Sequence, residues 1–158
     1  MRYLTWDDFV EVYAEALTPA DFDRFEYDAE TIVDNWVLTV DGVNKLRVAF
    51  PTKPEDVEAV KRCLIAMTMA LKEMEDYERK SISDTGIVAS VSSGTESMSF
   101  QRGGSAIAKA TADDASKDRY FSAIVKRYLA GHADGNGVNL LYGGRYPVII
   151  RDGEVDVP

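Results

Sequence analysis

Apolar residues recur every three or four positions over most of the chain, which is the period of an amphipathic helix. Thr5 as N-cap, with Asp8 in the first turn, predicts a first helix over about 6 to 16. Thr18 followed by Pro19 predicts the start of a second helix, because proline at the first helical position gives up no hydrogen bond. The apolar positions of the two helices are Trp6, Phe9, Val10, Tyr13 and Leu17, and then Phe22, Phe25, Ala29, Ile32, Val33 and Trp36.

The other side of the second helix is predicted to face solvent, because its residues are charged. They are Asp21, Asp23, Arg24, Asp28, Glu30 and Asp34. The Val-Asp-Gly sequence at 40–42 is typical of a helix exit. Between Trp36 and Pro54 the segment "VNKLRVAF" has no clear period, and a small strand and a loop both remain possible there.

The third helix is the clearest element of the pattern. Pro54 opens it, and an apolar stripe then runs for about 24 residues, or about 36 Å at 1.5 Å per residue. The stripe consists of Val57, Val60, Leu64, Met67, Leu71 and Met74. Because it covers fewer than four heptads, packing in a bundle is favoured over a coiled-coil dimer. Cys63 lies beside the stripe, and we expect a buried structural thiol there rather than a nucleophile.

The period changes over residues 82–101, where serine is frequent and alternation replaces the helical pattern. The stretch 90–100 reads "SVSSGTESMSF", and between Val88 and Phe100 the only charge is Glu96, with no proline. This pattern predicts extended chain, either a single strand or a hairpin turning at 92–95. A solitary exposed strand is usually protected by charge or proline, so an unprotected one is expected to pair with another chain.

The rest of the chain predicts one more helix and an extended end. A loop is expected over 103–114, followed by a fourth helix from about Asp113 to Ala130, with Gly131 able to cap it. Its apolar face consists of Tyr120, Phe121, Ile124, Tyr128 and Leu129. The predicted fold is mainly α: a small helical bundle over 1–144, carrying a β ribbon or hairpin arm at about 82–101, with an extended C-terminal tail over 145–158.

Charge and composition narrow the classes of function. The 158 residues carry a formal net charge of −9, which disfavours gripping the phosphates of DNA. No apolar run approaches the roughly 20 residues of a membrane span, and the acidic N-terminus does not resemble an export signal. A single cysteine allows no internal disulfide, so a reducing compartment is expected.

Candidate chemistry is sparse. His132 is the only histidine and follows a helix, where capping of the helix end is expected rather than catalysis. The "DGNG" sequence at 134–137 fails as a calcium loop, because the first and last ligand positions would fall on His132 and Gly143. A tight turn is expected instead. We therefore predict no catalytic, cofactor-binding or metal-binding residues, and a protein that is not an enzyme.

The order of the motifs resembles the head–tail connector, or adaptor, proteins of long-tailed bacteriophages, over about residues 3–146. Three groups of residues carry the resemblance: Ala29, Val33 and Asp34 in an aromatic and acidic helix; Ser93, Gly94, Ser97, Ser99 and Phe100 in a serine-rich strand; and Tyr128, Leu129, Gly131, Leu140, Tyr142 and Gly143 near the end. The segment between Trp36 and Pro54 and the last fourteen residues, 145–158, are longer than the family pattern.

The resemblance implies an assembly role in the virion, at the head–tail junction, after synthesis in the host bacterial cytoplasm. It implies a homo-oligomeric, dodecameric ring that binds the portal protein and the next connector, stopper or tail protein, with DNA passing through the lumen without being specifically bound. No membrane and no cofactor are implied. The expected interface residues are Val91, Ser97, Ser99, Phe100, Tyr146, Val148, Ile149, Ile150 and Arg151.

Two other functions stay open from the sequence. One is a different phage neck or tail assembly protein, such as a tail terminator, a stopper or a head-completion subunit. The other is a small cytoplasmic enzyme or antitoxin-like regulator whose acidic site is assembled in space. The mass of the protein in solution and with portal separates these functions from a connector.

Overall fold

The computed structural model describes residues 2–14, 16–84, 105–151 and 154–156, and this described part is mainly helical. The helices are α1 Trp6–Val12, α2 Pro19–Trp36, α3 Lys45–Val48, α4 Pro54–Asp84, α5 Ser105–Ala110 and α6 Asp114–Leu129. Two short strands follow, β1 Ile149–Arg151 and β2 Glu154–Asp156, and they pair antiparallel with Ile150 opposite Val155. The serine-rich ribbon predicted over 82–101 lies almost entirely outside the described residues, and with it Val91, Ser97, Ser99 and Phe100.

Side-chain caps set the starts of the helices where the sequence predicts them. Thr5 accepts a hydrogen bond from the Asp8 N–H in a capping box, and Thr18 accepts one from the Asp21 N–H ahead of Pro19. The Asp113 side chain caps α6 in the same way. Gly131 follows α6 with φ of +84°, a left-handed conformation that glycine adopts without strain. The predicted starts of the second and fourth helices are thus confirmed.

The core lies where α2 and α6 pack against α4. Its fully buried side chains include Phe9 of α1 and Phe22 of α2, whose ring centroids are 5.1 Å apart. Further buried apolar residues are Val33, Leu46, Val60, Cys63, Leu64, Met67, Val125, Leu129 and Leu140. The stripe of α4 is therefore largely covered by the protein's own chain, as expected for a bundle. Burial raises the pKa of the Cys63 thiol to about 12, which makes the thiol unreactive at neutral pH.

Several boundaries and faces differ from the sequence prediction. α1 ends at Val12 rather than near residue 16, because the chain leaves the helix so that Leu17 reaches the core. Residues 105–110 form α5 where a loop is predicted; the flanking Gly and Asp residues obscured a short run of good helix formers. α4 has 31 residues, because the helix continues to Asp84, beyond the stripe of about 24 residues and the charged turns that follow it. The segment between Trp36 and Pro54 contains α3, which is neither strand nor loop.

The largest correction concerns the charged side of α2. Glu30 and Asp34 were predicted to face solvent, yet both are buried, and so is Glu26. They lie beneath the N-terminal segment, which folds back over this side of the helix. Conversely, Trp36 was predicted on the apolar face and is partly exposed at the end of the helix. Helical period alone does not reveal that a second segment covers a polar face.

No helix within the described ranges is long and apolar enough to span a lipid bilayer.

Replacing Leu64 by alanine tests the placement of the α4 stripe. Leu64 is fully buried in the core, so the cavity and the lost transfer free energy should lower the free energy of unfolding by about 3 kcal/mol. Urea denaturation of both proteins measures this change. Val48→Ala, at an exposed valine, is the matched control and should shift the midpoint little. Equal midpoints for wild type and Leu64→Ala would show that the stripe is not part of the core.

Candidate docking site at the base of the C-terminal segment

The predicted interface residues of the C-terminal segment fall into three groups. Tyr146 is buried in its own domain, whereas Val148 is exposed. Ile149, Ile150 and Arg151 form β1, where the described residues establish the backbone pairing but not the side-chain positions. Among the described side chains, Val148 therefore remains available to a partner, while Tyr146 holds the start of the segment on the bundle.

The loop after α6 forms a tight turn that presents a buried carboxylate. Ala133 and Asn139 pair across the turn, and Asp134 accepts hydrogen bonds from the N–H groups of Asn136 at 2.9 Å and Val138 at 2.8 Å. Gly137, with φ of +82°, closes the turn. The predicted turn at "DGNG" is thus confirmed, and the carboxylate at its start binds backbone donors.

The His132 side chain does not cap α6. Its Nδ1 atom lies 2.8 Å from Oδ1 of Asp56, in the first turn of α4. The Asp56 carboxylate also accepts from the N–H of Ala133 at 3.4 Å. The contact joins the loop after α6 to the start of α4, so the histidine has a structural role in positioning this loop.

A buried charge lies next to the turn. Lys45, the first residue of α3, is fully buried, and its Nζ atom donates a hydrogen bond to the Tyr142 carbonyl oxygen at 2.6 Å. Burial lowers the pKa of Lys45, and the nearby carboxylate of Asp134 opposes this by favouring the ammonium form. The phenol of Tyr146 donates to the Oδ2 atom of Asp134. The lysine, the aspartate and the tyrosine thus form one buried polar cluster that ties residues 134–146 to α3.

Backbone hydrogen bonds then fix the start of the C-terminal segment against the loop after α2. The Val40 N–H donates to the Gly144 carbonyl at 3.2 Å, and the Tyr146 N–H donates to Oδ1 of Asp41 at 3.4 Å. Asn136 donates from Nδ2 to the Tyr146 hydroxyl oxygen at 3.0 Å. Residues 37–44 and 142–146 are therefore held side by side at one end of the bundle.

This end of the bundle exposes apolar side chains. Val40 is 73% exposed, Tyr142 49% and Val148 60%, and β1 begins directly after Val148. We call these three residues the tail-base patch. A two-stranded hairpin such as β1–β2 is marginal in water without a further strand or a surface to pack on. Among the described residues the hairpin pairs with no further strand, so the patch and the hairpin are a candidate docking site.

A second unusual feature is an acidic column on α2. Glu26, Glu30 and Asp34 follow one another at intervals of four residues, and all three are buried. The N-terminal segment covers them: the Tyr3 N–H donates to Oε1 of Glu30 at 2.6 Å. The Tyr3 hydroxyl donates to Asp34 at 3.2 Å, and burial, reinforced by the Asp34 charge, raises the pKa of this phenol.

Cations neutralise only the two ends of the acidic column. Arg47 donates to Oδ2 of Asp34 from Nε at 2.8 Å and from Nη2 at 2.7 Å. Arg2 lies with Nε 3.3 Å from Oε2 of Glu26, but the carboxyl oxygens of Glu26 have no hydrogen-bond donor within the described residues. Burial, then the adjacent Glu30 carboxyl, raises the pKa of Glu26 to about 8. When Glu26 is protonated, its hydroxyl can donate a hydrogen bond to the neighbouring carboxylate of Glu30.

The acidic column is enclosed, so it lacks the access that a catalytic carboxylate needs. Glu26 has no exposed surface, and the cover formed by residues 2–4 separates it from solvent. In the part of the chain that the structure describes, no group of three or more His, Cys, Asp or Glu side chains has an arrangement that could hold a metal ion. The carboxylates of the column bind Arg2 and Tyr3 and so hold the N-terminal segment on α2. We call this set of contacts the latch.

Several of the residues that carry the connector resemblance lie in the described part of the fold, whereas those of the serine-rich strand, 93–100, lie outside it. Ala29 and Val33 lie in the core face of α2, Leu129 and Leu140 are fully buried, and Gly131 ends α6. No protein-family model, curated protein or solved structure matches this chain. The sequence motifs are therefore the only basis of the resemblance.

Proposed function

We propose that this chain is a structural virion protein: a head–tail connector, or adaptor, subunit that forms a ring between the portal protein and the tail components. In this proposal the helical bundle is the body of the ring, the serine-rich ribbon and the C-terminal segment are its arms, and DNA passes through the lumen. The order of the sequence motifs supports this function, and so does the candidate docking site at the base of the C-terminal segment.

The observation that carries the proposal is the tail-base patch beneath the β1–β2 hairpin. Tyr146, bonded to Asp134, and the buried Lys45, bonded to the Tyr142 carbonyl, hold the start of the C-terminal segment on the bundle. Beyond it, Val148 is exposed, and within the described residues the two strands pair only with each other. This arrangement favours strand addition by a partner. The start of the C-terminal segment is already ordered on the bundle, so binding loses less conformational entropy there.

The net charge supports the proposed role of the subunit as part of a channel wall along which DNA moves. A formal charge of −9 repels phosphates, so the subunit adds length to the channel without binding the DNA inside it. The pairing of Val91, Ser97, Ser99 and Phe100 with a neighbouring chain is a further part of the proposal and stays a prediction.

Truncating the chain after Pro147 tests the docking role. This cut keeps Tyr146, which is buried and bonded to Asp134, so we expect a fully folded bundle. A cut at 145 would remove Tyr146 and damage the bundle itself. We expect the shorter protein to lose binding to the portal protein of the same phage, measured by co-sedimentation with portal rings.

Hydrogen exchange on the full-length protein gives the companion measurement. Amides of 148–156 should exchange quickly in the free subunit and become protected on portal rings, while amides of α4 stay protected in both. Undiminished portal binding after truncation, or equal protection of 148–156 with and without portal, would refute docking through the C-terminal segment.

A further inference from the structure

A depression on the surface beside α6 combines an apolar floor with unpaired cations. It encloses about 410 Å³ and is lined by Trp36 at the end of α2 and, from α6, by Asp118, Arg119, Ser122, Ala123 and Lys126. Arg119 and Lys126 are exposed and have no ion-pair partner among the described residues, although this chain is strongly acidic overall. We call this surface the cationic depression.

α6 has an excess of positive charge. It carries four basic and two acidic residues, whereas α1 carries three acidic residues and no basic one. A cationic surface on an acidic protein favours an acidic partner, and it disfavours a symmetric contact with the same surface of another copy. The complementary surface must therefore be a different one.

The exposed side of α1 has the complementary chemistry. Asp7 and Glu11 are one helical turn apart, both are exposed, and neither has an ion-pair partner within the described ranges. Asp8, by contrast, is held by Lys61 at 2.6 Å. Val12 is 58% exposed beside Glu11, and it offers an apolar group that matches Trp36. We call Asp7, Glu11 and Val12 the α1 knob.

We propose that the α1 knob of one subunit docks in the cationic depression of a second copy. α1 packs at the start of α2, where the rings of Phe9 and Phe22 meet, whereas Trp36 is the last residue of α2. Glu11 and Val12 line a groove with Arg62 and Arg127, whereas the cationic depression is lined by Trp36 and residues 118–126. The two surfaces share no side chain, so each copy can bind two different neighbours head to tail.

Head-to-tail contacts either close into a ring or continue as a filament. The choice of a second copy as the occupant rests on the proposed function, because a connector ring needs a contact of this kind between identical subunits. The complementary charges and apolar groups of the two surfaces are the independent support for this occupant.

Cross-linking with variants that each gain one surface cysteine tests the contact. Ala14→Cys places a thiol beside the α1 knob, and Ser122→Cys places one in the cationic depression; Cys63 is buried and shielded from reagent. With a short bis-maleimide, we expect the mixture of the two variants to give cross-linked dimers and each variant alone to give none. The double variant should give a ladder of higher oligomers.

A charge swap identifies the surfaces. Lys126→Glu in the double-cysteine chain should reduce the ladder by at least about tenfold, and adding Glu11→Lys should restore it. Lys53→Glu, at an exposed lysine outside both surfaces, is the control for net charge and should leave the ladder unchanged. Circular dichroism shows whether each variant keeps its helices.

Each other outcome overturns the contact. A ladder that stops at the dimer would refute head-to-tail association, and a ladder insensitive to Lys126→Glu would refute the cationic depression as the surface. Failure of this proposal is distinct from failure of the proposed function. Portal binding without any ladder refutes the contact alone, whereas a charge-dependent ladder without portal binding refutes the connector role and leaves the contact standing.

Discussion

Replacing Asp134 by alanine should lower the free energy of unfolding by about 4–5 kcal/mol, since it leaves three hydrogen-bond donors without their acceptor and removes the carboxylate charge near the buried ammonium of Lys45. The carboxylate opposes the buried ammonium of Lys45, accepts the Tyr146 hydroxyl, and accepts two backbone N–H groups of its own turn. In a domain whose total stability is typically about 5–15 kcal/mol, this loss approaches complete unfolding.

Urea denaturation measures the effect, and Asp41→Ala provides the matched control. Asp41 is exposed and accepts hydrogen bonds from Thr39 and from the Tyr146 N–H, so its loss should cost no more than about 1 kcal/mol. Hydrogen exchange should also rise over residues 138–146 in Asp134→Ala before the bundle unfolds. Similar small changes in both variants would show that the Lys45 cluster does not hold the C-terminal segment.

Stability should fall as the pH rises from 5 to 8, because Glu26 keeps a proton in the folded protein and loses it when the chain unfolds. The pKa of Glu26 rises from the usual 4.5 to about 8 through burial and the neighbouring Glu30. Between these two pH values the folded state binds one more proton than the unfolded state, so the free energy of unfolding decreases with pH. The full decrease is about 5 kcal/mol, and it is complete above the folded pKa.

Glu26→Gln should remove most of this pH dependence. The amide is neutral at every pH, and it resembles the protonated carboxyl that the buried site favours. The variant should therefore match wild type near pH 5 and be more stable by about 5 kcal/mol at pH 9. Arg2 favours the ionised carboxylate, and without it the pKa of Glu26 would be higher still.

The control for the Glu26 prediction is Glu58→Gln. Glu58 is exposed and paired with Arg62 on α4, so this variant should keep the wild-type slope of stability against pH. Thermal denaturation at intervals between pH 5 and pH 9 measures all three proteins. Parallel curves for wild type and Glu26→Gln would mean that the acidic column is ionised in the folded protein and that the latch does not depend on a proton.

The parts of the fold that local chemistry determines could be predicted from the sequence. The Thr18–Pro19 start, the Asp113 cap and the stripe around Leu64 all follow from short-range signals that the structure retains. The boundaries of α1 and α4 were less accurate, since helix ends depend on where the chain must turn to bury residues such as Leu17.

The candidate site was predicted only in part. The sequence predicted that the C-terminal segment contains interface residues, and Val148 is exposed. The burial of Tyr146 could not be predicted, because it depends on a hydrogen bond to Asp134 that forms only in the folded protein. Lys45 and Glu26 were missed, because a single charged residue in the sequence gives no sign that a distant segment will cover it. Their partners, the Tyr142 carbonyl and the N-terminal segment, are remote in the chain and meet them only in the folded protein.

The mass of the complex formed with portal rings tests the connector function most directly. Full-length protein should be mixed with the portal protein of the same phage, and the product weighed by native mass spectrometry. The connector account predicts a single discrete species in which a closed ring of this chain is bound to the portal ring, and the truncation after Pro147 should abolish it. A portal ring of unchanged mass beside free monomer of this chain would contradict the account.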